Sequence, residues 1–553
     1  MNPPRPPSRA RLWLLIAVLA TIWFSALDYR KLVRPDEGRY AEVAREMVAS
    51  GDWVTPRLND FKYFYKPALQ YWATATAFTA FGEHEWTARL WSALTGFFGV
   101  LMTAWVGARL WGRATGIAAG SVTAGALLYA LIGQVNTLDM GVTFFSCAGI
   151  FAFILAQLEA RGAPAERRWM LAAWAALALA VMSKGLIGAV LPLATLVLYS
   201  LATRDLSPWR RMHWLAGVAL FLAICAPWFV LVTLRNPEFF HFFFIHEHFE
   251  RFLTKVHRRE APAWYFIPLL LGGIAPWTLL LFGAAWRAVR QREADGFKPR
   301  LFLILWCAFI FAFFSASSSK LPSYILPMFP ALALLIADFA TRLRGGTLAL
   351  LCAPWIVAGV AATLAAPRVT AMASQEVPAH LYAAYAPWLL AATAVFTSGA
   401  TLATLLAWRG RILMAIVCKG GAALLAAVIG LAGHDSLSPA SSAYHLASRI
   451  APEVRADVPF FSLEMYEQTL PFYLKRTVTL VQYRDEMGFG IDREPHKWAA
   501  DYPEFARRWR AAPEAFAILH PGTQSKLDQL GLPYEIIARD TRRLVIKKPA
   551  PPR

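Results

Sequence analysis

Asp36, Arg39 and Tyr40 lie within five positions of one another in the run Arg34-Pro-Asp-Glu-Gly-Arg-Tyr40, and Lys66 follows in Tyr63-Phe-Tyr-Lys-Pro67. Asp139 opens a long apolar segment, Lys184 interrupts another in Met182-Ser-Lys-Gly185, and Lys320 and Tyr324 share Ser319-Lys-Leu-Pro-Ser-Tyr-Ile325. These side chains suit phosphate and acid–base chemistry. Arginine grips a phosphate with two parallel N–H donors, and lysine meets it as a point charge. A carboxylate can take a proton from a hydroxyl.

Each residue also has a plainer reading. Asp36 and Asp139 could cap helices, Arg39 and Tyr40 could anchor at a membrane interface, and Lys66 and Lys320 could snorkel toward headgroups. Lys184 and Lys419 stand between or within apolar runs, where a charge costs about 2.5–3.5 kcal/mol on insertion scales and marks a functional candidate. Lys419 could also snorkel. A separate constellation, His246-Glu-His-Phe-Glu250 with His241 and His257, has the ligand types of a zinc site. His246 and His248 are two positions apart and cannot share one helical face, so an aromatic interfacial loop explains the segment as well.

These residues are positioned by an unusually apolar chain. Of its 553 residues 57% are hydrophobic and 16% charged, outside the range of soluble domains. The five cysteines, Cys147, Cys225, Cys307, Cys352 and Cys418, lie in apolar stretches and suit neither a disulfide framework nor a zinc site. The net charge of +19 is spread over short loops instead of forming a patch, so nucleic acid is not expected as a partner.

A helix needs roughly 20 apolar residues to cross the hydrocarbon. On that criterion about thirteen spans are expected, near residues 12–27, 88–108, 114–133, 141–158, 169–183, 185–203, 214–234, 263–286, 301–318, 322–340, 347–366, 386–408 and 412–432. Arg5, Arg9 and Arg11 precede the first, which reads as an uncleaved span. Alternate connections carry arginines, so the positive-inside rule puts them and the N-terminus in the cytoplasm. Loops at 28–87, 235–262 and 367–385 then fall outside. The expected division is a membrane catalytic domain at 1–433 and a soluble α/β domain at 434–553. The latter is charged and carries short β-prone runs at Val458–Ser462, Val478–Val481, Phe516–Leu519 and Arg543–Lys547.

In the first outer loop, Tyr40, Val43, Ala44, Met47 and Val48 recur at helical spacing up to Gly51, which predicts an amphipathic helix on the membrane surface. A second, aromatic-rich helix follows Pro67.

The motifs Arg34–Tyr40, Ser50-Gly-Asp-Trp-Val-Thr-Pro56 and Tyr63–Pro67, followed by Tyr71-Trp72, resemble the first outer loop of the lipid A aminoarabinose transferases. Those enzymes are similar to protein O-mannosyltransferases among the polytopic C-class glycosyltransferases. Family members often carry glutamate before the Lys-Pro pair where this chain has Tyr65, so no role passes to that position. The resemblance implies an all-α membrane fold with a C-terminal α/β domain in the periplasm. It also implies transfer of 4-amino-4-deoxy-L-arabinose from undecaprenyl phosphate to lipid A, giving polymyxin resistance.

On this reading Asp36 and Asp139 are the catalytic acids, while Arg39, Tyr40, Lys66, Lys184, Lys320 and Tyr324 bind the lipid phosphate. His246 and His248 are the metal candidates, though the reaction requires no cofactor. A monomer in the bacterial inner membrane is expected. A relative transferring a polyprenyl-linked sugar to another acceptor, such as protein, is the first alternative, and a lipid transporter or flippase the second.

Overall fold

A computed structural model describes residues 9–250, 261–291 and 296–549. Among them, eight helices are long and apolar enough to cross a membrane, or up to nine if one bent pair counts as a single span. They include α4 (Glu85–Trp111), α7 (Leu138–Leu158), Trp214–Arg235, Pro299–Ala316 and Ala379–Trp408. The difference from thirteen has local causes. The stretch expected at 114–133 breaks at Ala126, whose backbone is extended, into α5 (Arg113–Gly125) and α6 (Leu127–Ile132). α8 (Pro164–Lys184) opens on Glu166, Arg167 and Arg168, while α1 (Arg9–Phe24) and α9 (Ile187–Thr203) are 16 and 17 residues long. The 263–286 stretch forms two helices bent by 108°.

β1 (Arg57–Leu58) and β2 (Phe61–Lys62) form a small antiparallel pair, and the C-terminal residues build a separate sheet of five strands. β3 (Phe460–Leu463), β4 (Thr479–Val481) and β5 (Phe516–Leu519) run parallel, and β7 (Leu544–Lys547) and β6 (Glu535–Arg539) complete it antiparallel, in the order β4-β3-β5-β7-β6. The inner three, β3, β5 and β7, are largely buried apolar runs, as expected of strands covered on both faces.

The first loop departs from the surface-helix expectation. α2 (Asp36–Ser50) ends as predicted at Gly51, left-handed with φ 70°, whose N–H returns to the Met47 carbonyl. Its apolar face does not rest on lipid. Tyr40, Val43, Ala44 and Met47 share one core with Phe460, Leu470, Phe472, Leu480 and Phe516 of the C-terminal sheet region. The opposite face is buried too, with Glu42 accepting both Arg45 Nε and Nη2, at 2.7 and 2.6 Å. Gly38 permits this docking: a Cβ there would lie 2.6 Å from Thr469 Cγ2 and 2.7 Å from the Gln468 carbonyl.

Candidate active site

Two candidate groups meet at the start of α2. Asp36 is the first helical residue and Pro35 occupies the cap, so the capping reading of Asp36 gives way to an acid in the first turn, where the helix dipole favours it. Arg39, one turn on, donates to Asp36 Oδ1 at 3.2 Å and reaches Glu486 Oε2 at 2.6 Å. Glu486 comes from the short 3-10 turn Asp485–Met487 of the C-terminal region and also accepts Gln468 Nε2 at 3.0 Å. Burial holds the Glu486 carboxyl above its usual range, against the pull of Arg39.

Tyr40 is buried beside Tyr71, with ring centroids 6.2 Å apart. Burial raises its phenol well above the ordinary value, and both Asp36 and Asp139 push the same way. Tyr40 therefore stands in the field of both proposed acids.

Asp139 lies in the first turn of α7, after Thr137 at the cap, so capping is not its role either. It pairs with Lys184, the last residue of α8, where a cation suits the carbonyl end of the helix. The Lys184 ammonium lies 4.7 Å from the Tyr324 ring centroid, close enough for a cation–π contact. Asp139, Lys184 and Tyr324 thus form one cluster, gathered from two helices and the 3-10 segment Pro322–Met328.

Lys66 faces Glu247 Oε2 at 3.9 Å. An aromatic core supports this contact: Phe64 meets Phe239 edge-on at 5.2 Å, and Tyr65 meets Phe242 edge-on at 5.1 Å. Tyr65 is thus a packing residue here. His246 stacks on Phe242 at 5.3 Å. The side chain of His248 lies outside the described residues, as do Arg251, Lys255, His257, Arg258 and Arg259. Among the described residues no group of three metal-ligating side chains is found. Lys320 is buried and donates to the Ser317 carbonyl in its own turn, and among the described residues it pairs with no other candidate.

Glu37, next to Asp36, carries a role that spacing did not reveal. Arg89 donates to both its oxygens at 2.7 and 2.9 Å, Arg30 approaches to 3.7 Å, and the backbone N–H groups of Asn136 and Val33 donate at 3.1 and 3.0 Å. Burial alone would raise this carboxyl, but Arg89 and Arg30 bring it down to about 2. Arg89 also takes the carbonyls of Leu27, Arg30 and Lys31. One ion pair therefore fixes the exit of the first helix, the start of α2 and the lead into α7, and with them the spacing of Asp36 and Asp139. Adjacency to Asp36 was the only signal for Glu37 in the sequence; Glu486 and Glu247 had none that tied them to Arg39 or Lys66.

Comparison with known proteins places this geometry in context. Residues 9–243 match the family described as dolichyl-phosphate-mannose-protein mannosyltransferase, and residues 446–548 match the aminoarabinose transferase C-terminal domain. An undecaprenyl phosphate-alpha-4-amino-4-deoxy-L-arabinose arabinosyl transferase of Erwinia tasmaniensis is 34% identical over 439 residues, 78% of this chain and 79% of that protein. A relative of Proteus mirabilis bearing the same name with the number 1 is 34% identical over 344 residues, 60% of each chain. The crystal structure of ArnT from Cupriavidus metallidurans bound to undecaprenyl phosphate superposes with a TM-score of 0.93 at 37% identity, covering 99% of this chain and 100% of that one. The archaeal oligosaccharyltransferase AglB of Archaeoglobus fulgidus shares the fold alone, with a TM-score of 0.52 at 10% identity over 95% of this chain and 71% of that one. By sequence and by structure, this chain belongs to the undecaprenyl phosphate-alpha-4-amino-4-deoxy-L-arabinose arabinosyl transferase family.

Proposed function

We propose that the protein transfers 4-amino-4-deoxy-L-arabinose from undecaprenyl phosphate to a lipid A phosphate at the periplasmic face of a bacterial inner membrane. Adding a cationic sugar there lowers the surface charge that attracts cationic peptides such as polymyxin. The observation that carries this reading is the likeness, over 99% of the chain, to a family member whose structure is bound to undecaprenyl phosphate.

In the reaction the bond between the anomeric carbon and the undecaprenyl phosphate oxygen breaks, and that oxygen keeps the electron pair. A lipid A phosphate oxygen forms the new bond to the same carbon. The acceptor is already anionic at neutral pH, so no base is required, and neither a metal nor a cofactor is needed. The demand falls on the departing phosphate, whose growing charge is best met by fixed cations in a poorly hydrated site. Arg39 and Lys66 fill that role in our reading, with Tyr40 lining the site and Lys320 and Tyr324 adding further donors. Lys184 holds Asp139 in place while its ammonium remains at the Tyr324 ring. Asp36 and Asp139 then orient the cationic sugar or its anomeric centre.

The finer topology belongs to the same proposal: thirteen crossings, a cytoplasmic N-terminus, a membrane domain at 1–433 and a periplasmic domain at 434–553, acting as a monomer. The alternation of arginine-rich loops supports it. The experiment is mass spectrometry of lipid A from cells lacking and expressing the protein. An aminoarabinose increment that appears only on expression is the expected result; lipid A identical in both would overturn the reading.

A further inference from the structure

Away from the proposed transfer site, the helix Thr278–Arg290 ends in a cleft that the reaction does not use. Gly283, Trp286, Arg287, Arg290, Gln291 and Phe339 line an open recess of about 610 Å³. Gly283 lets the floor form, because a Cβ there would sit 2.4 Å from the Phe339 ring. Trp286 is 63% exposed, and Phe282 and Val289 on the same helix are 63% and 67% exposed, so this face turns toward lipid. The Arg290 guanidinium lies 4.1 Å from the Trp286 ring centroid, held at the rim of the cleft.

The charge beneath the cleft is lopsided. Asp338 accepts Arg300 at 2.9 and 3.1 Å, Arg287 at 3.2 Å and Arg342 at 3.0 Å. Among the described residues three guanidinium groups, those of Arg287, Arg300 and Arg342, thus converge on the single carboxylate of Asp338, and positive charge is in excess there. An aromatic floor facing lipid with guanidinium groups at its rim suits a phosphodiester attached to acyl chains. Basic clefts between spanning helices on the cytoplasmic side are known to hold anionic headgroups.

We propose that this cleft binds the phosphodiester headgroup of an anionic glycerophospholipid of the inner leaflet. The leaflet follows from the cytoplasmic placement of the arginine-rich loops proposed above; the binding itself does not depend on the transferase reading. Arg287 is tied into the Asp338 cluster, so among the described residues Arg290 and Trp286 form the lipid-facing edge of the site.

The test uses the full chain, purified and delipidated in a neutral detergent, with thermal unfolding followed as lipid is added. Phosphatidylglycerol should raise Tm, whereas phosphatidylcholine and inorganic phosphate at the same concentration should not. The W286A/R290A variant should keep the lipid-free Tm and lose at least half of the rise. If that double variant does not fold, Arg290→Gln alone should reduce the rise. A full rise in the variants, or an equal rise with phosphatidylcholine, overturns the site; an equal rise with inorganic phosphate shows an ion site and overturns the lipid assignment. Lipid A modification is read separately, so loss of this effect with intact transfer counts against the cleft alone.

Discussion

Arg39 Nη2 lies 2.6 Å from Glu486 Oε2, joining the start of α2 to a turn contributed by the last part of the chain. This contact makes the proposed phosphate-binding arginine depend on the C-terminal region for its orientation. Both side chains are largely buried, and breaking a buried pair by removing one partner costs about 3–5 kcal/mol. Glu486→Gln keeps the shape and removes the charge. It should lower transfer at least tenfold in an assay with purified lipid donor and acceptor, while Arg39→Ala should abolish it. Wild-type rates in Glu486→Gln would show that Arg39 is held without it.

The Asp139–Lys184 pair gives a coupled prediction. Lys184→Met and Asp139→Asn should each cut turnover by about a hundredfold, and the double variant should be no worse than the poorer single one, because residues acting as a unit are not additive. Losses that multiply would show that the two act separately.

Lys66 is predicted to act mainly on the lipid donor. Lys66→Ala should weaken binding of undecaprenyl phosphate, measured by titration in detergent, by about tenfold or more. Lys66→Arg should recover part of the loss, since the positive charge returns with a different donor geometry. Unchanged binding in Lys66→Ala would remove it from the phosphate site.

Glu37 makes stability depend on acid. Its carboxyl is held at about 2, below the ordinary 4.5, so its contribution is fully present above the ordinary value. That contribution is lost as pH falls from about 4.5 toward 2. Glu37→Gln should be destabilised at neutral pH by about 3–5 kcal/mol. Its acid unfolding should also be less steep than wild type over that window. Parallel pH–stability curves for the two proteins would contradict the assignment.

Gly38→Ala tests the docking of the C-terminal region on α2. The added methyl would meet the Gln468 carbonyl, part of the backbone, which cannot swing aside. Overpacking of this kind costs about 1–3 kcal/mol. Limited proteolysis should cut the variant faster than wild type within residues 434–553.

Much of the fold was legible because periodicity and turn residues are local signals. Val43, Ala44 and Met47 marked one face of α2, Gly51 marked its end, and all four β-prone runs became β3, β4, β5 and β7. The missed strand, β6, has an exposed outer edge at Glu535 and Arg539, so its alternation is weak. The break at Ala126 had only Gly125 as a local signal, too weak by itself to end a span. It depends on the Leu127 N–H reaching the Ala275 carbonyl, a contact between segments far apart in the chain. The membrane-surface reading of α2 failed for a related reason: an apolar stripe shows that something covers it, not what. The candidate residues themselves stood out as charges in an apolar chain. Their partners did not, since Arg39 and Glu486 meet only after the whole chain has folded.

The shared core of α2 and the sheet also constrains biogenesis. α2 emerges early from the ribosome, yet Phe460, Phe472 and Phe516, which cover it, are made near the end of synthesis. The loop that carries α2 must wait, incompletely packed, until the final segment has been made and folded against it. That core is therefore completed in a single late step, and a chain that stalls before β5 would insert its helices while leaving α2 uncovered.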